Sequence, residues 1–202
     1  MTYNIVLAGV GGQGVLSLAA IIARAAVSEG FAVKQSEVHG MSQRGGSVVA
    51  HLRIADRPIH ADVVPLATAD LILATEAVEG LRQIGYLADD GALVVADTFV
   101  DTPAGYPDHA VVATEVARHE GALVESDRIA RECGNARAAN TVLLGYASRL
   151  LPIDPEAIER QIVELFASKA RRAATRSIAD INVDAFRAGR AFVDGADRRA
   201  HA

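Results

Sequence analysis

The chain of 202 residues has one cysteine, no tryptophan and two lysines, and each shortage narrows what it does. The single thiol, Cys133, excludes an internal disulfide and cannot supply the thiolate set that usually ligates an iron–sulfur cluster, so any such cluster sits on another chain. Lying at a predicted helix end without an assigned base, it reads as a small buried hydrophobe rather than a nucleophile. No apolar run approaches the ~20 residues of a membrane span, and a strand-like segment begins almost at once with no basic stretch before it. The expectation is a cytoplasmic protein with no membrane contact. There is no Gly-x-Ser-x-Gly elbow, and His39, His51 and His60 have neither the helical spacing nor the cysteine neighbours of a metal site. The 25 acids outnumber 20 bases for a net charge of −5, with no basic face in sequence order, which disfavours bulk nucleic-acid binding.

What is present, 50% hydrophobic and 22% charged residues, suffices for one sizeable core. The expected organisation is a single domain over 1–194, helical from about Ser126, followed by a polar tail over 195–202. Tyr3 to Ala8 reads as a strand, Gly9 to Gly14 as a turn, and Val15, Leu18, Ala19, Ile22 and Ala26 as one face of a helix closed by Gly30. Phe31 to Ser36 reads as a second strand, completing a Rossmann-like βαβ start with parallel pairing. Ser47 to Ile54 alternates, with Val48, Ala50, Leu52 and Ile54 inward and the other face exposed. Leu71 to Ala74 and Ala92 to Ala96 read as strands buried on both faces, with a helix from Glu76 to about Tyr86 between them. Asp101 to Asp108 reads as a loop. Helices are predicted over Ser126 to Cys133, Ala138 to Leu151, Pro155 to about Ala167 and Val183 to Val193, with Asp154 and Asn182 as N-caps. The predicted fold is α/β: a mainly parallel open sheet with a helical C-terminal layer.

Two segments carry candidate chemistry. Gly9-Val10-Gly11-Gly12-Gln13-Gly14 satisfies G-x-G-x-x-G after a strand and at a helix start, where free N–H groups and a partial positive charge suit a phosphate. A dinucleotide site would add an acid at the end of the second strand, and Glu37 is near that position. The second segment, Glu37 to Ser47, holds His39, Met41, Gln43 and Arg44 before Gly45 and Gly46. Its arginine suits bidentate anion recognition with glycine N–H groups alongside, and Ser47, His51 and Arg53 are expected to extend the cluster. The same loop would equally serve to dock on a partner. Glu76 and Asp97, at predicted strand ends, read first as cap or turn acids.

Both segments, with Gly134-Asn135, Ala138-Ala139-Asn140 and Asn182, Ala185, Phe186 and Gly189, resemble the gamma domain of 2-oxoacid:ferredoxin oxidoreductases. Glu37 to Val49 is most similar to that of the indolepyruvate type. The resemblance implies the small subunit of an enzyme that oxidatively decarboxylates an arylpyruvate to its coenzyme A thioester and passes electrons to ferredoxin. It places thiamine diphosphate, Mg and 4Fe–4S clusters on a large partner subunit, makes coenzyme A the co-substrate, and leaves the isolated chain inactive. The absence of a Gly-Asp-Gly motif agrees with that division. On the resemblance, the site comprises Gly9, Gly11, Gly12, Gln13, Gly14, Glu37, His39, Met41, Gln43, Arg44, Gly45, Gly46 and Ser47. Two other readings stay open at this point: a self-sufficient dinucleotide-binding oxidoreductase, and a non-catalytic scaffold or regulatory subunit.

Overall fold

A computed structural model describes residues 1–39, 45–100, 105–167 and 177–193, excluding the side chain of His39. The expected tail over 195–202, and Met41, Gln43 and Arg44, lie outside the described residues.

The first strand, β1 (Thr2–Val10), is the axis of the molecule. Ile5, Val6, Leu7 and Ala8 are fully buried because both neighbouring strands and both faces of the sheet are covered there. The glycine turn leads into α1 (Val15–Ser28), whose buried Val15, Leu18, Ala19, Ile22 and Ala26 are the residues the apolar periodicity picks out. Its end is a Schellman motif: Gly30, at φ +87°, donates to Val27 O and Phe31 N–H to Ala26 O.

The chain then departs from the expected βαβ pairing. Among the described residues β2 (Ala32–His39) pairs only with β3 (Ser47–Ala55), antiparallel, and β3 in turn pairs antiparallel with β1 from Thr2↔Ala55 to Val10↔Ser47. β3 therefore sits between the two strands predicted to be neighbours. β4 (Ala69–Ala74), β5 (Leu87–Ala96) and β6 (Ala122–Val124) follow in parallel, giving the order β2-β3-β1-β4-β5-β6, with β3 alone running against the rest. The mainly parallel sheet was legible; the strand that interrupts it was not, because alternation reports burial and not partner identity. The outer face of β3 is also less open than expected, since His51 is buried against the ring of Tyr86.

The expected helix over Glu76 to Tyr86 is α2 (Ala77–Leu81) and a separate 3₁₀ turn, Ile84–Tyr86. Gly80, within α2, is required by packing, as an added Cβ would come within 2.6 Å of Val95 Cγ1. α3 (His109–Arg118), capped by Asp108, and β6 were not predicted. α4 (Ser126–Glu132), α5 (Ala139–Ala147), α6 (Pro155–Ala167) and α7 (Ile178–Ala191) form the expected helical layer. Asp154 caps α6 as predicted, through Glu156 N–H. Asn182 does not cap α7. Ser177 and Asp180 form a capping box upstream, while buried Asn182 accepts the Thr141 hydroxyl at 2.7 Å from α5.

α1 and α5 to α7 pack on the face of Ile5, Leu7, Leu52 and Leu71, whereas α2 and α3 cover the opposite face of Val6, Ala8, Ile72 and Val95. At the α5–α7 crossing an added Cβ on Gly145 would run into the Phe186 carbonyl, and one on Gly189 into that of Val142. Backbone cannot yield as a side chain does, so Gly145→Ala or Gly189→Ala is expected to destabilise by about 2–3 kcal/mol, read as a lower urea midpoint with unchanged slope.

Candidate functional site

The glycine turn lies at the point where the sheet reverses its winding. From β1 the chain passes through α1 on one face and leads outward to β2; from β4 it passes through α2 on the other face to β5. A crevice outside the carboxyl ends of β1 and β4 is where such sheets hold ligands. Here it has a volume of about 390 Å³ and is lined by Gly12, Gln13, Thr75, Thr98, Arg137 and Asn140 among others.

The turn is held from several directions. Gln13 N–H donates to Val10 O at 3.0 Å, and the Gln13 side-chain Oε1 accepts from Val10 N–H at 2.8 Å and from the Thr75 hydroxyl at 2.9 Å. Asn140 Nδ2, at the start of α5, donates to the Gln13 carbonyl. Gly9 has no room for a side chain, since a Cβ would strike Thr75 Oγ1 and come within 2.8 Å of Val15 Cγ2. Gly12 and Gly14 hold φ of +100° and +83°, which glycine reaches without strain.

These bonds leave the donors of the turn open. The N–H groups of Gly12, Gly14, Val15 and Leu16 find no acceptor among the described residues, and the first turn of α1 carries no acid to offset the helix dipole. Arg137 also lines the crevice; its N–H donates to Asn135 Oδ1 at 3.0 Å, while its guanidinium meets no carboxylate among the described residues. The other wall is acidic. Asp127 accepts the Thr98 hydroxyl at 3.2 Å, and nearby Asp97 has its carboxyl held above the usual range by burial first, then by the charges of Glu125 and Asp127. The crevice is therefore bipolar, with cationic donors beside the glycine turn and carboxylates beyond it.

The second predicted segment meets the first through its end. Gly11 N–H donates to Gly46 O at 2.7 Å and Gly45 N–H to Gly11 O at 3.2 Å, so the two motifs form one backbone-paired edge. Ser47 was expected to face a ligand. Its hydroxyl instead donates to the buried Glu79 at 2.6 Å, and Glu79 also lies 3.5 Å from Arg82 Nε. His51 and Arg53 do not join the cluster. They share a face with Ser47, but each pair of residues carries a strand about 6.7 Å further on, and Arg53 ends on Asn4 Oδ1 and Ala61 O at the far end of the sheet. Nor is Glu37 brought to the glycine turn. It is exposed on edge strand β2, accepts from Gln35 at 3.0 Å, and is held roughly 10 Å from β1 by the width of two strand spacings. The geometry of a ribose-binding acid beside β1 is thus missing, which counts against the dinucleotide reading.

Thr75, Asn140 and Arg137 were given no site role by sequence reasoning. The available signal was positional: Thr75 ends a doubly buried strand, and Asn140 and Arg137 flank the turn after α4. Glu76 is the cap acid it was read to be. It accepts Glu79 N–H at 2.7 Å, is 1% exposed, leaves Oε1 without a partner, and has its carboxyl pushed above the usual range chiefly by burial. Asp97 uses its backbone N–H to bond Val124 O at 2.8 Å. No group of three or more His, Cys, Asp or Glu among the described residues converges as a metal site would, and no described helix is long and apolar enough to cross a membrane.

The fold and site define an open α/β module that presents an unsatisfied glycine-rich helix start at a sheet switch point. Residues 4–192 match the pyruvate ferredoxin/flavodoxin oxidoreductase family, and the chain belongs to it. It is 36% identical to the indolepyruvate oxidoreductase subunit IorB of Archaeoglobus fulgidus, over 94% of each chain. Among solved structures it is similar to the gamma subunit of a keto/oxoacid ferredoxin oxidoreductase from Geobacter sulfurreducens, at 25% identity and a TM-score of 0.65 over 93% of this chain and 95% of that one. The 2-oxoglutarate:ferredoxin oxidoreductase of Magnetococcus marinus, solved with 2-oxoglutarate, coenzyme A and succinyl-CoA bound, shares the fold at a TM-score of 0.72 and 21% identity, with 98% of this chain matching 31% of that one.

Two outcomes follow from this geometry. Gly9→Ala is expected to cost about 1–3 kcal/mol, and Thr75→Ala in the same chain to recover part of it, measured as non-additivity in a double-mutant denaturation cycle. Burial raises the folded-state pKa of Glu76, so the native chain holds this proton more tightly and stability falls as pH rises from the unfolded value through the folded one. Glu76→Gln carries no such proton, and its urea midpoint is expected to decline less over that interval than that of the parent chain.

Proposed function

We propose that the chain is the small subunit of a thiamine-dependent 2-oxoacid:ferredoxin oxidoreductase of the indolepyruvate type, and that its glycine-turn crevice takes the phosphates of coenzyme A. The observation that carries this reading is the unsatisfied N–H of Gly12 at a crevice that Arg137 also lines, with the open N–H groups of Gly14, Val15 and Leu16 on the adjoining concavity that shares Gly12. The anionic end of a nucleotide fits those donors, and its hydroxyl and amine groups fit the carboxylate of Asp127 in the same crevice. The likeness over 94% of its length to an indolepyruvate oxidoreductase subunit supports the substrate class.

The residues do not fit a resident thiamine or cluster site. One cysteine cannot ligate a cluster and no acid or histidine group converges among the described residues; on this reading thiamine diphosphate, Mg²⁺ and iron–sulfur clusters belong to a larger partner. In the Magnetococcus protein the same fold is under a third of one longer chain, so there the neighbouring parts are covalently attached. The Archaeoglobus relative, matched over 94% of its length, is itself named a subunit, and on this reading a partner subunit supplies that neighbourhood here. On this reading the partner carries out decarboxylation and passes electrons to ferredoxin, while the small subunit binds and orients the coenzyme that accepts the acyl group. Arg44 directly precedes Gly45, whose N–H is bonded to Gly11, and serves as a further cation for the same anion.

Anaerobic affinity purification of the chain from its host is expected to bring down a large, brown, thiamine-dependent partner that reduces viologen with indolepyruvate or phenylpyruvate in a coenzyme A-dependent way. Recovery of the chain alone, with no such activity in the extract, overturns the reading. In the recovered complex, Arg44→Ala is expected to preserve assembly and raise the KM for coenzyme A about tenfold; loss of assembly would instead favour a purely scaffolding loop.

A further inference from the structure

We propose that the side-chain amide of Gln13 is a fixed hydrogen-bond donor to the anion at the glycine turn, and that Thr75 and Asn140 are the positioning residues that aim it. The proposal rests on the coenzyme A reading and names a residue that reads the phosphate.

Amide oxygen and nitrogen are told apart by their partners, and here the partners decide. Gln13 Oε1 lies 2.8 Å from Val10 N and 2.9 Å from Thr75 Oγ1. The Val10 N–H belongs to the strand backbone and can only donate, so the amide oxygen must face it; the opposite orientation would set N–H₂ against N–H. Nε2 is thereby turned away from Val10 N and Thr75 Oγ1; Gln13 lines the crevice, and Nε2 has no acceptor among the described residues. The backbone of Gln13 is fixed as well, its N–H on Val10 O and its carbonyl under Asn140 Nδ2. A side chain held at its oxygen by β1 and by the residue after β4, and at its carbonyl by α5, has little rotamer freedom left to lose when a ligand arrives.

The surroundings select the ligand's charge. Gly12 N–H and the start of α1 add partial positive charge, Arg137 adds a full one, and the first turn of α1 offers no acid in competition. A phosphate oxygen bonded to Nε2 therefore gains from Gly12 N–H, the start of α1 and Arg137 as well, whereas a neutral acceptor gains chiefly from the one bond. Thr75 and Asn140 do not need to touch the ligand for this. Their effect passes through Gln13.

The test uses the assembled complex and coenzyme A itself. Gln13→Glu keeps an oxygen for both Val10 N–H and the Thr75 hydroxyl, so the turn is retained while a donor becomes a negative charge. It is expected to raise the KM for coenzyme A at least tenfold, far more than it changes kcat or the KM for the 2-oxoacid, with a smaller factor at high salt. Thr75→Val removes the hydroxyl at constant size and is expected to raise the same KM about threefold, with Thr75→Ser restoring it. Gly12→Ala reports on the underlying reading, because its Cβ meets open space but φ of +100° disfavours it and the turn must shift. A raised coenzyme A KM in Gly12→Ala with none in Gln13→Glu overturns the role of Gln13 and leaves the reading standing. No change in any of these variants overturns both.

Discussion

Donors from three parts of the chain converge on Gln13: Val10 N–H from the end of β1, the Thr75 hydroxyl from beyond β4, and Asn140 Nδ2 from the start of α5. Each belongs to an element that packs independently elsewhere, so this residue is where the sheet, its crossover and the helical layer are brought into register. The requirement reaches back to Gly9, which must lack a side chain for Thr75 to approach. It reaches forward to Gly14, where a Cβ would lie 3.0 Å from Asn140 Nδ2. Glycine at these two positions is thus explained by close approach as well as by turn conformation.

The antiparallel strand β3 does the corresponding work at the other side of the turn. By pairing with β1 as far as Val10↔Ser47, it delivers Gly45 and Gly46 to the backbone of Gly11, and the Ser47 hydroxyl anchors that junction on Glu79 of α2. The same insertion pushes β2 to the edge and takes Glu37 away from β1. One topological choice therefore joins the two glycine-rich segments and removes the acid that a dinucleotide site would use.

What the sequence makes legible follows from the range over which each signal acts. The strand, glycine turn and α1 are local, and period and composition identify them to within a residue or two. The helical layer after Ser126 is legible for the same reason. The neighbour of β1 is not, because alternating burial in Ser47 to Ile54 is equally consistent with an edge or a central strand. The misplaced roles of His51 and Arg53 have a related cause: a period of two shows which residues share a face but not how far along it they are strung. Thr75 and Arg137 escaped notice because a lone threonine or arginine has no pattern, and becomes informative only when the fold sets it beside the turn. Asn182 illustrates the converse, a good cap residue whose side chain is drawn into a buried bond with Thr141 once Ser177 and Asp180 begin the helix earlier.

The two faces of the sheet differ in how completely they satisfy their polar groups. Glu76 Oε1, His51 Nδ1 and Tyr106 Oη are buried without partners, and all belong to residues on the side covered by α2 and α3. The side covered by α1, α5, α6 and α7 shows no such atom among the described residues, and there polar side chains that enter the core, such as Thr141 and Asn182, bond each other. An unpaired buried polar atom costs about 1–3 kcal/mol, so the thinner face carries most of this cost. It also carries α2, whose cap Glu76 and whose Glu79 hold the start of β3 in place beside the glycine turn. The thick helical face supplies the excess of packing against which that less satisfied, site-supporting face is maintained.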